Sequence, residues 1–157
     1  MVSCTVVLTL SACIYPYEPI NYTDVGDGVG ADVGDLQLRN AVMVTADEDL
    51  TSTVSLIFTV LNETDRDQYL EILYSTTVDC AIKEVVVPAH SQVTRGFIPG
   101  QEQLILTDLD TRAGALMRVQ VSAGDATTEM MVPVLNGDQP QYAPLVPMLD
   151  DSESGVG

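Results

Sequence analysis

An all-β sandwich is the fold that this sequence predicts, and three observations carry it. Apolar residues recur at every second position through the middle of the chain. Turn residues break that alternation at short intervals, and no long helical period appears. In order, Leu36, Leu38, Val42 and Val44 are expected on one face of a first strand, with Gln37 and Arg39 opposite. Val54, Leu56, Phe58 and Val60 then alternate with Thr53, Ser55 and Thr59, and Leu70, Ile72 and Tyr74 follow. Met117, Val119 and Val121 alternate with Arg118, Gln120 and Ser122. Met130, Val132 and Val134 alternate with Glu129 and Met131. Turns are expected at Asn62–Asp65, Pro99-Gly100, Arg112–Gly114 and Ala123–Asp125. Several short strands at this spacing make a sandwich.

The length of 157 residues fits one domain with tails. A chain of this size removes close to ~70% of its unfolded surface from water. Its hydrophobic content of 46% is too high for a chain disordered throughout. No apolar run approaches the ~20 residues of a membrane-spanning helix, so the body is expected to be soluble. Six Lys and Arg stand against 23 Asp and Glu, a net charge of -17. Nucleic acid is excluded as a partner, because its phosphates require basic neutralisation. Adsorption to anionic headgroups is disfavoured for the same reason. The acidity favours solubility and basic partners without naming one.

The ends of the chain differ from its middle. Residues 13–35 read as an extended acidic linker. Tyr15-Pro16-Tyr17-Glu18-Pro19 is held extended by its prolines. Asp24–Asp35 alternates Gly and Asp, but it lacks the spacing and terminal glutamate of a calcium loop. The sandwich is expected over residues 36–135, and residues 136–157 read as a proline-bearing acidic tail. Its apolar run Ala143–Leu149 suits either a free tail or an extended segment docked on a partner. Tyr15, Tyr17, Leu145, Val146 and Met148 are therefore the candidate partner contacts.

Little in the sequence carries chemistry, and no enzyme activity is expected. The only histidine, His90, lies in the turn Pro88-Ala89-His90-Ser91, and no Gly-x-Ser-x-Gly occurs. A zinc site needs several His or Cys ligands, and a blue-copper site needs two histidines. Cys80 and His90 alone are too few, so no metal or other cofactor is expected beyond a lipid described next. Cys80, beside Val78, Ala81 and Ile82, reads as a small buried hydrophobe.

Leu10-Ser11-Ala12-Cys13 follows a short apolar run, Val6–Leu10. The stretch resembles the lipobox of a bacterial lipoprotein. That resemblance implies a signal peptide over residues 1–12 and a mature chain beginning at Cys13. The cysteine sulfur would carry diacylglycerol, with palmitate-type acyl chains as the membrane anchor. The protein would then be secreted and held on the outer face of the cytoplasmic membrane. One acyl chain binds marginally and two hold firmly. No Lys or Arg precedes Arg39, so a basic n-region is expected ahead of Met1. An ordinary leader, or a fortuitous Leu-x-Ala-Cys at an apolar end, is the rival reading.

Several further stretches resemble periplasmic copper chaperones of the PCuAC type. Thr53–Leu70 is an apolar strand followed by Asn62, aspartates and a leucine. Val85–Val93 and Ile98-Pro99-Gly100 are similar to that family's later segment, and Ala115–Ser122 with Thr127–Val134 to its closing hairpin. The resemblance implies a cupredoxin-like/immunoglobulin-like β-sandwich over about Leu36 to Leu135. It also implies His-x-Met copper ligands on the strand after Pro-Gly, where this chain has Gln103 and Ile105. Ser75–Ala81 replaces a second His/Met-rich hairpin. Soft Cu(I) prefers Met sulfur and His, so the scaffold resembles one stripped of its ligands.

With Leu36-Gln37-Leu38-Arg39-Asn40 after an acidic linker, the combination resembles actinobacterial LpqE-type lipoproteins. That resemblance implies a non-catalytic accessory subunit of the respiratory supercomplex of cytochrome bc reductase and cytochrome oxidase. The alternative is a metal-handling protein that uses Cys80, His90 and a methionine, Met43 or Met117. An extracellular ligand-binding module is a third class, and it needs a polar pocket between strands.

Overall fold

The computed structural model describes residues 28–46, 52–98 and 100–147. They form nine strands: β1 (Val29–Val33), β2 (Leu36–Thr45), β3 (Val54–Asn62), β4 (Gln68–Ser75), β5 (Cys80–Val87), β6 (Ser91–Arg95), β7 (Leu104–Leu106), β8 (Leu116–Ala123) and β9 (Ala126–Asn136). Among the described residues there is no α-helix, only a short 3-10 turn at Ala143–Leu145. None of them forms a helix long and apolar enough to cross a membrane.

One layer runs β5-β4-β8-β9 and is antiparallel throughout. The other is built on the β2–β3 pair. β6 and β7 share the far edge of β3. β1 lies antiparallel to the first half of β2, and the end of β9 lies parallel to its second half, from Val134 onward. β9 thus passes from one layer into the other, and the sheet curls into the all-β sandwich that the alternation predicts. Phe58, Leu36, Met43, Leu70, Ile72, Val119 and Val132 fill the space between the layers. Strands β3, β4, β8 and β9 bury the residues their alternation assigns to the core.

β2 departs from the expected pattern. Leu36 and Leu38 enter the main core, but Val42 and Val44 do not join them. The register with β3 shifts between Arg39 and Val42, and Asn40 takes a left-handed φ of 54°. One extra residue turns every later side chain to the opposite face. Ala41 and Met43 therefore point into the main core, while Val42 and Val44 join Ile57 and Leu145 in a second cluster on the outside of the layer.

The linker expected over residues 13–35 ends earlier in the structure. Val29–Val33 is a strand, and Gly34-Asp35 is its two-residue turn into β2. Gly34 has φ 56°, as this tight hairpin requires of its first loop residue. A similar Gly-Asp turn joins β8 to β9, with Gly124 at φ 57°. A side chain on Gly34 would touch Ala123 and Ala126, so the two turns pack against each other. Arg39 clamps the hairpin. Its guanidinium lies 2.7 Å from Asp32 Oδ1 and donates to the Leu38 carbonyl at 2.8 Å.

The tail expected from residue 136 also begins folded. Gly137 donates its N–H to the Thr45 carbonyl at 2.8 Å, and the chain then turns back through Ala143–Leu145. Leu145 is only 6% exposed and packs on Val42, Val44 and Ile57.

Asn62 ties the turns at one end of the sandwich together. Its buried Nδ2 donates to the carbonyls of Arg66, Val87 and Pro88 at 2.9–3.0 Å. Its Oδ1 accepts from the Thr64 N–H at 3.0 Å and the Thr64 hydroxyl at 2.7 Å. Asp67 Oδ1 accepts the Ala89 N–H at 2.9 Å, completing the link between the β3–β4 and β5–β6 turns. Asn62→Ala removes the side-chain donor to the buried Val87 carbonyl, while the Arg66 and Pro88 carbonyls keep the Thr64 and Ser91 hydroxyls, and it is expected to cost about 1–3 kcal/mol, read by chemical denaturation. An unchanged midpoint would show that these bonds contribute nothing net.

Candidate functional site

The two positions where the copper-chaperone pattern places ligands lie in or beside β7. Ile105 stands opposite Ser55 of β3. Leu104 and Leu106, on either side, belong to or pack against the main core, so Gln103 and Ile105 take the outer face by strand alternation. The C-terminal segment reaches that side of the layer. Gln103 Nε2 donates to the carbonyls of Val146 at 3.0 Å and Leu145 at 3.3 Å. The amide thus holds backbone where the resemblance puts an imidazole, and Ile105 offers only alkane where it puts a thioether. These two residues do not fit Cu(I).

The Ser75–Ala81 hairpin, where a second ligand pair is implied, closes on itself. The Thr76 N–H donates to the Asp79 carbonyl at 2.7 Å, and the Asp79 N–H donates to the Thr76 hydroxyl at 2.9 Å. The Thr77 N–H donates to the Asp108 carbonyl at 2.7 Å, fixing the tip to the segment after β7. Val78 at that tip is 91% exposed.

Cys80 and His90, the two candidate metal ligands, do not meet. Cys80 begins β5 and His90 lies beyond its end. An eight-residue strand spans about 23 Å at ~3.3 Å per residue, whereas metal–ligand bonds are about 2 Å. Both residues are exposed, which corrects the expectation of a buried Cys80. The outward register of β5 places Cys80 with Ile82, Glu84 and Val86, away from the core that takes Val85 and Val87. Met43 is fully buried and Met117 half-buried. Among the described residues, no group of three or more His, Cys, Asp or Glu could hold a metal ion.

Two surface depressions flank these elements. One, of about 480 Å³, is lined by Ser75, Thr76, Asp110, Thr111, Arg112 and Met117 among others. The other, of about 440 Å³, is lined by Asn62, Glu63, His90 and Ser91 among others. Beneath the surface, the Ser55 hydroxyl is buried and has no hydrogen-bond partner among the described residues.

Of the expected partner contacts, Leu145 is buried in the chain's own second cluster and Val146 is half-buried against it. Leu145 is corrected from partner contact to core residue, because Val42 and Val44 face outward and need cover. Cys13, Tyr15, Tyr17 and Met148 lie outside the described residues. β4 and β5 also present an apolar outer face that simple alternation does not mark. Tyr69, Ile82 and Val86 are exposed there. The signal was the run Cys80–Val87, which carries apolar residues on both phases of its alternation.

Gln103→Ala is expected to loosen the C-terminal segment without unfolding the sandwich. Hydrogen exchange at Gly137 and Leu145 should accelerate, with a loss of about 1–2 kcal/mol for two missing side-chain bonds. Leu145→Ala should cost about 2 kcal/mol by cavity formation. Unchanged exchange in both variants would show that the segment is held by something else.

No protein-family model matches the sequence, and no curated protein matches it. Solved structures do resemble the fold. The copper-bound PCuAC domain from PmoF2 matches with a TM-score of 0.52 and 16% identity, over 69% of this chain and 98% of that domain. The apo form of the PmoF2 domain matches with a TM-score of 0.54 and 17% identity, over 71% of this chain and 98% of that one. The apo PCuAC domain from PmoF1 gives 0.53 and 15%, over 68% and 98%. At such identities the likeness is one of fold: this chain carries a β-sandwich of the kind found in PCuAC domains.

Proposed function

We propose that this protein is a non-catalytic, lipid-anchored accessory protein of the extracytoplasmic face, built on a PCuAC-like sandwich that serves as a binding module. The observation that carries the reading is Gln103, which stands where the PCuAC-type resemblance implies a ligand and is committed to the backbone of Leu145 and Val146. The lipobox-like Leu10–Cys13 supplies the anchor, with diacylglycerol on the Cys13 sulfur. The tether keeps the sandwich near a membrane complex and raises its effective concentration there. Following the LpqE-type resemblance, that complex is the actinobacterial supercomplex of cytochrome bc reductase and cytochrome oxidase. The net charge of -17 suits contact with basic surfaces.

Cys13→Ala is expected to move the protein from the membrane fraction to the soluble one, and mass spectrometry of the native N-terminus should show a lipidated cysteine. Cross-linking followed by purification in mild detergent should recover it with respiratory subunits. Recovery only as a free monomer would overturn the partner assignment, and an unmodified N-terminus upstream of Cys13 would overturn the anchor.

Copper handling is the second reading, favoured by the copper-bound domain among the fold neighbours. It expects stoichiometric Cu(I) binding that is lost in Cys80→Ser or His90→Ala. The strand length between those residues makes a shared ion within one chain impossible. Metal analysis after Cu(I) reconstitution is therefore expected to give well under one equivalent, equal in both variants. A full equivalent lost in either would reverse the order of the two readings.

A further inference from the structure

β5 presents an eight-residue strand edge with no paired neighbour among the described residues. It pairs with β4 on one side and ends its layer on the other. The other edge strands are poorer templates. β7 has three residues, β6 is mostly polar, and β1 is short, bulged and carries Gly30 and Asp32. Its Ile82, Val85, Val86 and Val87 are β-branched and its outer main-chain groups are open to a further strand, with Lys83 on the opposite phase as the one basic residue of the edge.

The face beside that edge has a definite pattern. Tyr69 lies opposite Val86, and Leu73 lies opposite Ile82. Tyr69, Val86 and Ile82 are 53%, 46% and 61% exposed. Between these apolar pairs, Glu71 lies directly opposite Glu84. Like charges in that position are unfavourable. Ser122 Oγ donates to Glu71 Oε2 at 3.2 Å, yet neither carboxylate is in an ion pair among the described residues. Along the free edge the outward residues therefore read apolar, acidic, apolar: Ile82, Glu84, Val86.

We propose that the β5 edge receives an extended segment of a partner protein that carries Lys or Arg between two apolar residues at alternate positions. Its cation would sit opposite Glu84 and relieve the Glu71–Glu84 repulsion, and its apolar residues would cover Ile82 and Val86. Main-chain bonds would supply affinity and the alternate side chains selectivity. A second copy of this chain suits the edge badly. An antiparallel copy with both outer faces on one side must pair residues of equal parity on β5. Its two registers of greatest overlap centre on Lys83 or Glu84. One sets Lys83 against Lys83; the other sets Glu84 against Glu84 and lines up carboxylates across the junction.

The inference deepens the accessory-protein reading by naming the contact surface and the chemistry of what it takes. Its test is separate from the anchor. Isotope-labelled full chain is titrated with a short peptide centred on Val-Thr-Arg-Thr-Val, and with the same peptide carrying Glu for Arg. The basic peptide is expected to shift the amide resonances of Cys80–Val87 and slow their hydrogen exchange. It should bind about two- to fivefold more tightly than the acidic one, with the difference shrinking as salt is raised. Glu84→Lys should reverse the preference, and its exposed position keeps the fold intact. Three results would each overturn the proposal: no change along β5, equal affinity for both peptides, or self-association that protects the β5 amides. Such failure leaves a membrane-fraction result with Cys13→Ala standing, and a soluble wild-type protein would leave the β5 result standing.

Discussion

The extra residue in β2 is the constraint on which the rest of the structure depends. A strand normally offers one face to a core, and its period of two preserves that choice along its length. Asn40 breaks the period at the middle of the strand. The first half of β2 then serves the interior with Leu36 and Leu38, and the second half places Val42 and Val44 outside. Those valines require cover, and residues 137–147 provide it through Leu145, Tyr142 and Val146. The same break divides the edge of β2, so that β1 occupies one half and the end of β9 the other. The closure of the sandwich and the fate of the C-terminal segment thus follow from one irregularity.

The residues that carry the copper-chaperone likeness are largely builders of the scaffold. Asn62 belongs to the first matched stretch, and it satisfies the carbonyls of Val87 and Pro88, which belong to the second. A buried amide with every bond filled is costly to replace, since the buried Val87 carbonyl would lose its side-chain donor. Such residues outline a fold without describing a site. Gln103 shows the complement: it stands where a ligand is implied, but its amide is used to hold chain. The likeness to PCuAC domains is therefore one of architecture, and the outer surfaces offer better prospects for function than the ligand positions do.

Much of the core was legible because burial on one face leaves a period of two. Val54 to Val60, Leu70 to Tyr74, Val119 to Val121 and Met130 to Val134 all face the interior as their alternation implies. The Gly-Asp turn at Gly124 was legible for the same local reason. Its counterpart at Gly34 was hidden inside an acidic stretch whose composition suggested a linker, although Val29, Ala31 and Val33 keep the strand period there. The tail was misread because its prolines and polar residues describe local conformation, and local conformation does not reveal which distant surface needs cover. Cys80 failed similarly: apolar neighbours suggested burial, but the register of β5 turned it outward.

By itself the sequence determined the fold class, the core faces of β3, β4, β8 and β9, the acidic charge and the presence of a lipobox-like cysteine at position 13. Each is a property of composition or of neighbours along the chain. Only the tertiary structure decided that Val42 and Val44 leave the main core, that Leu145 joins them, that Gln103 grips the C-terminal backbone, and that Cys80 and His90 stand apart. The same holds for the pairing of Glu71 with Glu84 on an open edge. Those facts depend on register between strands, and register is set by contacts between residues far apart in sequence, where a slip of one residue reverses every face.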